Sequence, residues 1–502
     1  MNKFYSNLAF LTALLCLVSG AFACGGIYDP NTDSTDSNAK DSTGTTDNAN
    51  ELPEMNFNGY KFRVAHWQFG DRPAYDNRDL VAESENGDRI NDAVYKRNME
   101  VMEKYGFSIE LTNIGFREIT EKIRGSVMSG DDEFDLVYPR LYEGKALITE
   151  NALVDFGEIP YIDLSADYWD SGITDSLMVN GKRYFAASDI NLGDKDATAA
   201  ILFSKKIVDE NNIENLYKLV DDGKWTIDKL LAISADVSRD IDGNGMDNND
   251  QWGFLGANDV APSFFIGGGG TFVEHSADGE FVDSFGSARN IELTQKIHDM
   301  MNDAGIFYNH HTGTGKAQNT TDADFLKMFA GGHGLFFWSR LDSVTQLRDD
   351  EIDYGIIPTP KYDEDQENYI SFVSQHICGL ISVPVTNPDL ERTGLILEAL
   401  AKSSSDTLIP AYYDVTLKTK LLRDEESVKM LDLVFGNRRL DAGEVFDFGG
   451  WSSKYVEVCA TDKSPVVSTY ESYKSAIEGG IADFMEKMGW LANKKVAGRR
   501  ER

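Results

Sequence analysis

Short apolar strands alternate with amphipathic helices between residues 60 and 139, and this alternation restricts the possible folds more than any other feature. "YKFRVAHW" (Tyr60–Trp67), "FSIELTNI" (Phe107–Ile114) and "FDLVYP" (Phe134–Pro139) have the pattern of strands. The periodicity predicts helices over Ile90–Tyr105 and Arg117–Met128 between them. Strands separated by helices favour a mostly parallel sheet covered by helices, which is an α/β fold.

The rest of the chain continues this mixture and ends in helices. "AAILFSKKIVDE" (Ala199–Glu210) and "GLFFWSRL" (Gly334–Leu341) are predicted to be strands that run into helices. "IDKLLAISADV" (Ile227–Val237) is predicted to be a helix with Thr226 at its N-cap. Helical patterns predominate from Pro384 onward. Since 502 residues are too many for one ordinary core, we expect two α/β lobes.

The N-terminus has the pattern of a secretory signal peptide. The apolar run Leu8–Val18 is too short to span a bilayer as a mature helix. Ala21 and Ala23 fit a cleavage site before Cys24, and a cysteine at this place resembles a bacterial lipobox. We therefore expect residues 1–23 to be removed and Cys24 to be lipidated. A secreted protein whose mature chain happens to begin with cysteine is the alternative.

Residues 24–56 contain few apolar side chains and are rich in Asp, Ser, Thr and Asn. Such a segment cannot pack, so we expect a flexible tether. No later segment has the length and apolarity of a transmembrane helix, which leaves the lipid on Cys24 as the expected anchor. Two of the four cysteines, Cys378 and Cys459, lie in the folded body, where they could form a disulfide or remain buried thiols.

Charge and missing motifs exclude several functions. Acidic residues number 83 against 48 basic ones, and a net charge of -35 repels phosphate backbones, so we expect no nucleic-acid binding. H-E-x-x-H, G-x-S-x-G and the P-loop are all absent. His310 and His311 cannot both face one metal ion from a helix or strand, so a pair of loop residues is the simpler interpretation.

The loop Asp240–Gly253, "DIDGNGMDNNDQWG", matches most of the D-x-[DN]-x-[DN]-G pattern of calcium loops. Gln251 stands where that pattern has glutamate, and Asp250 could take its place. An Asx-rich turn without metal is the alternative. The flanks are not two helices, so we expect a structural calcium site and no sensor. The candidate ligands are Asp240, Asp242, Asn244, the Met246 carbonyl, Asp250 and Gln251.

Several segments, taken in order, resemble bacterial extracellular solute-binding proteins of the sugar-binding, ABC-importer type. The order of elements is also similar to that of maltose-binding protein. The segments that carry the resemblance are "GKWTIDKLL", "DIDGNGMDNNDQWGF", "GGGGTFV", "GLFFWSRL", "YGIIPTPKYDEDQENY" and "LIPAYYDVTLKTKLLRDEESVKMLDLVF". The resemblance implies a type II two-lobed binding-protein fold and no enzyme activity. It also implies a monomer that delivers its ligand to an ABC permease, held at the outer face of the cytoplasmic membrane or in the periplasm.

The resemblance also implies where the lobes divide. Lobe 1 would hold residues 57–192 and 357–410, and lobe 2 residues 193–356 and 411–502. The crossing segments would lie at 192–198, 353–357 and 410–415. A carbohydrate, expected to be an oligosaccharide, would lie in the cleft, and the lobes would hinge shut around it.

Loops at the carboxyl ends of strands should line this cleft. That rule selects Trp67, Gln68, Arg140 and Trp338. Sugar C–H faces stack on aromatic rings, and sugar hydroxyls pair with Asp, Asn or Arg. By the resemblance, the candidate residues also include Asp196, Phe264, Phe265, Tyr412 and Trp451. Each aromatic could instead be a core residue.

Two other functions remain open from the sequence. One is a secreted glycan-degrading enzyme with a structural calcium, because among 83 acidic residues some pair with suitable spacing always exists. The other is a surface module that binds a glycan for sensing or adhesion.

Overall fold

Two β-sheets with covering helices form the framework of the folded body. The computed structural model describes residues 52–70, 78–277, 279–347, 352–418, 425–461 and 465–489. The expected signal peptide, Cys24 and the tether up to residue 51 lie outside the described residues, so their predictions stay predictions.

The strands are short, and most belong to the two main sheets. They are β1 (Tyr60–Gln68), β2 (Phe107–Gly115), β3 (Leu136–Tyr138), β4 (Trp169–Asp170), β5 (Ala187–Ser188), β6 (Ala199–Ser204), β7 (Trp252–Gly256), β8 (Val273–His275), β9 (Phe281–Asp283), β10 (Phe307–Asn309), β11 (Gly334–Arg340), β12 (Tyr354–Ile357), β13 (Ser371–Phe372) and β14 (Arg438–Arg439).

Helices cover both sheets and dominate the C-terminal third. They are α1 (Arg89–Tyr105), α2 (Ile119–Ser129), α3 (Leu141–Gly144), α4 (Ala146–Thr149), α5 (Ser171–Ser176), α6 (Gly193–Asp196), α7 (Lys205–Glu210), α8 (Leu216–Asp221), α9 (Ile227–Val237), α10 (Val260–Gly267), α11 (Ala288–Met301), α12 (Asp322–Ala330), α13 (Leu341–Gln346), α14 (Leu390–Asp406), α15 (Leu408–Lys418), α16 (Glu425–Gly436), α17 (Ala442–Phe446), α18 (Trp451–Ala460) and α19 (Val466–Lys487). Within the described residues, no helix is both long and apolar enough to cross a membrane.

The first sheet confirms the parallel arrangement predicted from the N-terminal alternation. Its order is β2-β1-β3, and both neighbours of β1 run parallel to it. The segment 379–384 adds an antiparallel edge, since Val137 bridges Ser382 and Ala186 bridges Ile381. α1 ends at Tyr105, the last residue of the predicted helix, and Gly106 follows with a left-handed φ of 64° that glycine adopts without strain. We call the part of the chain built on this sheet lobe 1.

The second sheet has the order β10-β7-β11-β6-β12. β7 is parallel to β10 and β11, whereas β6 is antiparallel to β11 and β12. All six residues of β6 are buried, which explains the unbroken apolar run in its sequence. We call the part of the chain built on this sheet lobe 2.

Each sheet thus includes one antiparallel segment. In each sheet this segment is the first part of the chain after it crosses from the other lobe. β6 follows the predicted crossing at 192–198, and the segment 379–384 follows the return. The two connections lie side by side, because Thr198 bridges Val373 and the Ser374 amide donates to the Ala197 carbonyl at 3.0 Å.

The contacts place the boundary between lobe 2 and lobe 1 further along the chain than the predicted position at residue 357. The Trp225 indole donates to the Pro358 carbonyl at 2.9 Å, and the Ile227 amide donates to the Lys361 carbonyl at 2.9 Å. Gln366 donates to the Gly267 carbonyl at 2.8 Å. Residues 358–370 therefore belong with lobe 2, and the chain returns to lobe 1 after residue 370.

The third predicted crossing also shifts along the chain. Leu408 and Tyr412 of α15 pack with Ile90 and Val94 of α1, so α15 is part of lobe 1. α16 packs instead on β12 and α8 of lobe 2. The change of lobe therefore follows α15 and does not occur at 410–415.

Both body cysteines are fully buried and free, which decides between the two possibilities left by the sequence. Burial raises the pKa of Cys378 well above its ordinary value and that of Cys459 to about 12. Neither thiol is therefore in the reactive thiolate form at neutral pH.

Candidate functional site

A cavity of about 560 Å³ lies between the two lobes. This volume falls within the range of roughly 300–1,000 Å³ that is typical of small-molecule sites. Lobe 1 contributes Phe69, Phe116, Arg117, Arg140, His376 and Ile377. Lobe 2 contributes, among others, Asp259, His310, His311, Asp322, Trp338 and Arg340.

Nearly every parallel strand delivers its next residues to this cavity. Phe69 follows β1, Phe116 follows β2, and Arg140 comes shortly after β3. In lobe 2, Asp259 follows β7 and His310 follows β10. Of the four residues that the carboxyl-end rule selected from the sequence, Arg140 and Trp338 line this cavity, and Trp67 and Gln68 do not. The prediction missed Phe69 because it stopped at the end of β1. It missed Phe116, Asp259 and His310 because the rule was not applied to β2, β7 and β10.

Trp338 is one of the predicted residues that lines the cavity. It lies in β11, is 4% exposed, and its indole N–H donates to the Ser263 hydroxyl at 3.0 Å. The Arg340 guanidinium lies 6.0 Å from its ring centroid. This bond to Ser263 fixes the ring, so Trp338 contributes a rigid aromatic side chain to the cavity.

Arg140 is the other predicted residue that lines the cavity. Its guanidinium lies 4.2 Å from the Phe116 ring centroid and donates from Nε to Glu143 at 2.6 Å. It also donates to the His376 carbonyl at 3.2 Å. Because three partners fix the guanidinium, its orientation is set before any ligand enters.

Charges of both signs line the lobe 2 wall. The Arg340 guanidinium forms ion pairs with two carboxylates: its Nη1 lies 3.6 Å from Asp259 Oδ2, and its Nε lies 3.4 Å from Asp342 Oδ1. Burial, with a smaller contribution from His311, lowers the pKa of His310 to about 4, so this imidazole is neutral at pH 7. Burial also lowers the pKa of His376, whose ring lies 4.8 Å from that of Tyr142. The two lobes together thus line the cleft with neutral imidazoles and paired ions, which suit a polar, hydroxyl-rich solute.

A second cavity of about 290 Å³ continues the cleft and shares Asp259, His311 and His376 with the first. Glu444 lines it, and burial raises the pKa of this carboxyl to about 8. Gln375 donates to the Glu444 carboxyl at 2.7 Å. Because the two cavities share Asp259, His311 and His376 and each is lined by both lobes, they are adjoining parts of one cleft between the lobes.

Several predicted ligand residues are placed in the core. Phe264 and Phe265 lie in α10 and are 0% exposed. Trp451 is 3% exposed, and its ring packs against Phe285 and Tyr470 at centroid distances of 4.8 Å and 5.5 Å. These side chains do not line the two cavities.

Trp67 and Gln68 support the cleft without lining either cavity. Trp67 is 3% exposed and meets the Phe69 ring edge-on at 5.0 Å. The Gln68 carbonyl accepts from the Phe116 amide at 3.0 Å. Both residues therefore hold the loops that carry Phe69 and Phe116.

Asp196 and Tyr412 lie together at the crossing between the lobes. Arg78 donates to Asp196 at 2.6 Å, and the Tyr412 hydroxyl donates to it at 3.1 Å. Burial raises the pKa of Asp196 to about 6 although the charge of Arg78 opposes this shift. This arrangement ties α15 to the first crossing and lies outside the two cavities.

The acidic loop brings together Asp240, Asp242 and Asp250, whose ligand atoms lie within 4.8 Å of one another. Asp250 is 1% exposed and accepts from the Ile241 and Asp247 amides at 2.8 Å and 2.7 Å. Gln251 turns away, because its side-chain amide donates to the Val237 carbonyl at 2.7 Å. Asp250, one position earlier than the pattern expects, lies with Asp240 and Asp242, and the Gln251 side chain does not.

Residues 99–405 match the family of bacterial extracellular solute-binding proteins. The chain belongs to this family. The family assignment made from the sequence is thereby confirmed, and such a binding protein acts outside the cytoplasm. No curated protein sequence matches this solute-binding protein.

Solved structures show that the solute-binding protein has the predicted two-lobed α/β fold. The cyclic α-maltosyl-1,6-maltose binding protein of Arthrobacter globiformis is 14% identical over 85% of this chain and 100% of that one, with a TM-score of 0.56. The maltose/maltodextrin-binding domain of Bdellovibrio bacteriovorus, bound to maltotriose, is 13% identical over 84% and 100%, with a TM-score of 0.52. An ABC substrate-binding protein of Listeria monocytogenes in complex with cycloalternan is 12% identical over 86% and 100%, with a TM-score of 0.51.

Proposed function

We propose that this solute-binding protein captures an oligosaccharide in the cleft between its lobes and delivers it to an ABC importer. The observation that carries the proposal is the cleft between the lobes, in which Trp338, Phe69 and Phe116 lie beside arginine, aspartate and histidine side chains. Family membership supports the transport role. The carbohydrates named for the solved structures of similar fold support the ligand class.

The chemistry of the cleft explains how capture would work. The faces of sugar rings are apolar and stack on aromatic side chains, while their hydroxyls exchange hydrogen bonds with charged and amide groups. Arg140 belongs to lobe 1 and Trp338 to lobe 2, so a ligand touching both favours the closed arrangement of the lobes. The importer can then recognise the closed form, because closure changes the surface the two lobes present.

The direct test is to titrate the purified folded body with a panel of oligosaccharides and follow tryptophan fluorescence and binding heat. We expect saturable binding of at least one glycan. The Trp338→Ala variant should lose at least tenfold in affinity, corresponding to about 1.4 kcal/mol. Tyr161→Ala removes an exposed aromatic that lines neither cavity, so it should bind normally.

Binding of peptides or amino acids with no response to any glycan would refute the carbohydrate assignment. Release of reducing ends from a bound glycan would instead favour the glycan-degrading alternative.

We further propose that Cys24 carries the lipid that holds the protein at the outer face of the cytoplasmic membrane. The polar segment after it supports this, because a long tether lets the lobes move clear of the membrane. Mass spectrometry of the mature N-terminus should find a diacylated or triacylated cysteine, whereas an unmodified Cys24 would show a secreted protein.

We also propose a structural calcium ion at Asp240, Asp242 and Asp250, with the Asn244 side chain and the Met246 carbonyl as further oxygen donors. Support comes from the three carboxylates within 4.8 Å and from the amides that already orient them. Calcium prefers an all-oxygen site of this kind. None of these residues lines the cleft cavities, so the ion would stabilise lobe 2 and not contact the solute.

A further inference from the structure

Three side chains able to bind a metal lie together on the lobe 2 wall of the cleft. His310, His311 and Asp322 each offer one ligand atom, and these atoms lie within 4.8 Å of one another. All three residues line the 560 Å³ cavity. The histidines follow β10, and Asp322 is the first residue of α12.

The turn after β10 allows His310 and His311 to face one metal ion, which neighbouring residues of a helix or strand cannot do. Neighbouring residues point apart on a strand or helix, but His310 and His311 occupy a turn, and their ring centroids are 4.0 Å apart. Two backbone bonds hold this turn: the His310 amide donates to the Gly256 carbonyl at 3.0 Å, and the Thr320 amide donates to the His310 carbonyl at 2.9 Å. Both rings can therefore approach one point.

His310 supplies an independent indication that a ligand belongs here. Its side chain is 4% exposed, and its ring stacks on Phe325 at a centroid distance of 4.2 Å. Among the residues that the structure describes, its buried Nδ1 atom has no hydrogen-bond partner. A buried ring nitrogen without a partner is unfavourable, and a metal ion is a group that would satisfy it.

We propose that His310, His311 and Asp322 bind a divalent transition-metal ion such as Zn²⁺ in the wall of the cleft. Two imidazoles and a carboxylate are the donor set that zinc takes, whereas calcium takes oxygen ligands. With bonds of about 2.0–2.1 Å, a tetrahedral ion needs its ligand atoms about 3.3 Å apart. His311 and Asp322 are exposed, so rotation of their side chains can close the remaining distance.

Binding of the ion would break one hydrogen bond of His311 and would leave one coordination position of the ion unoccupied by protein. The Asn258 amide donates to His311 Nδ1 at 3.3 Å, and this long bond must be given up if that nitrogen turns to the ion. Three protein ligands leave a coordination position for water or for an oxygen of a bound solute. Since all three ligands belong to lobe 2, binding of the ion does not require closure of the cleft.

The test is calorimetric titration of the folded protein with ZnCl₂, without carbohydrate and with excess CaCl₂ to occupy the acidic loop. We expect one saturable site. His311→Ala and Asp322→Asn should each weaken it at least tenfold, and both change exposed side chains, so the variants should fold. His275→Ala, at an exposed histidine of β8, and Asp324→Asn, in the first turn of α12, are matched controls that should bind as the parent does.

Absence of saturable zinc binding would overturn the proposal. Zinc binding left unchanged in both His311→Ala and Asp322→Asn would also overturn it, because the ion would then bind elsewhere. The titration contains no sugar, so its result is independent of whether the solute is a carbohydrate.

Discussion

Glu444 should make the stability of this solute-binding protein fall as the pH rises from mildly acidic to mildly alkaline. Burial raises the pKa of its carboxyl to about 8 in the folded chain, whereas a glutamate in an unfolded chain titrates near pH 4.3. The folded state therefore binds this proton more tightly than the unfolded state does. Stability is lost as the pH rises from about 4.3 to about 8, and no more is lost above that.

The structure sets the size of the effect. Each pKa unit of difference between the folded and unfolded states corresponds to 1.36 kcal/mol, so the upper limit is about 5 kcal/mol. Glu444 borders the smaller cavity, and water entering there screens the ionised carboxylate. We therefore expect a measured loss of about 2–3 kcal/mol across this pH range.

The perturbation is Glu444→Gln, which keeps the shape of the side chain but cannot ionise. Urea unfolding followed by fluorescence at about pH 5, about pH 7 and about pH 9 gives the free energy of unfolding of both proteins. As the pH rises, the free energy of unfolding of the variant should increase relative to that of the parent, with the largest difference above about pH 8. Glu471→Gln, at an exposed glutamate of α19, is the control and should follow the parent. Parallel pH profiles of parent and Glu444→Gln would refute the reasoning.

Other predictions concern lobe 1 and the acidic loop. Arg97 is fully buried and donates to the Asp79 and Ile190 carbonyls at 2.7 Å and 2.9 Å, so Arg97→Met should lower the free energy of unfolding by about 3–5 kcal/mol in urea titrations. A change below about 1 kcal/mol would show that these carbonyls find other partners. Chelating calcium should lower the melting temperature of the parent and leave ligand specificity unchanged. Asp250→Asn should abolish that response to chelator; a shift in ligand choice without a shift in melting would contradict the structural role.

Strand ends were the part of the site that the sequence could locate. The alternation of apolar and polar residues fixes where a strand stops, and the carboxyl ends of parallel strands gather at one edge of a sheet. Trp67, Gln68, Arg140 and Trp338 were selected on that basis, and Arg140 and Trp338 line the cleft. The same rule extended by one or two residues finds Phe69 and Phe116, which the prediction omitted.

Helical aromatics were the part that the sequence could not locate. Phe264 and Phe265 lie in α10, all eight of whose residues are buried. Because this helix has no solvent-exposed polar face, its sequence pattern does not indicate which side of the helix faces the cleft. The side chain of Trp451 packs against residues far away in the sequence, such as Phe285. Whether such a ring faces a cleft or a core depends on neighbours that local periodicity does not reveal.

The sequence by itself predicted β1, α1, β2, α2 and β3 in their order, because the backbone imposes fixed side-chain periods of 2.0 and 3.6 residues. The length of the chain predicted two lobes, and the resemblance of its ordered segments to a known family implied the binding-protein fold. Only the tertiary structure decided where the lobes divide, which side chains meet in the cleft, and that His310 and His311 face Asp322. These features depend on contacts between distant segments such as residues 139–142 and 375–379, and contacts of that kind form only when the lobes are assembled.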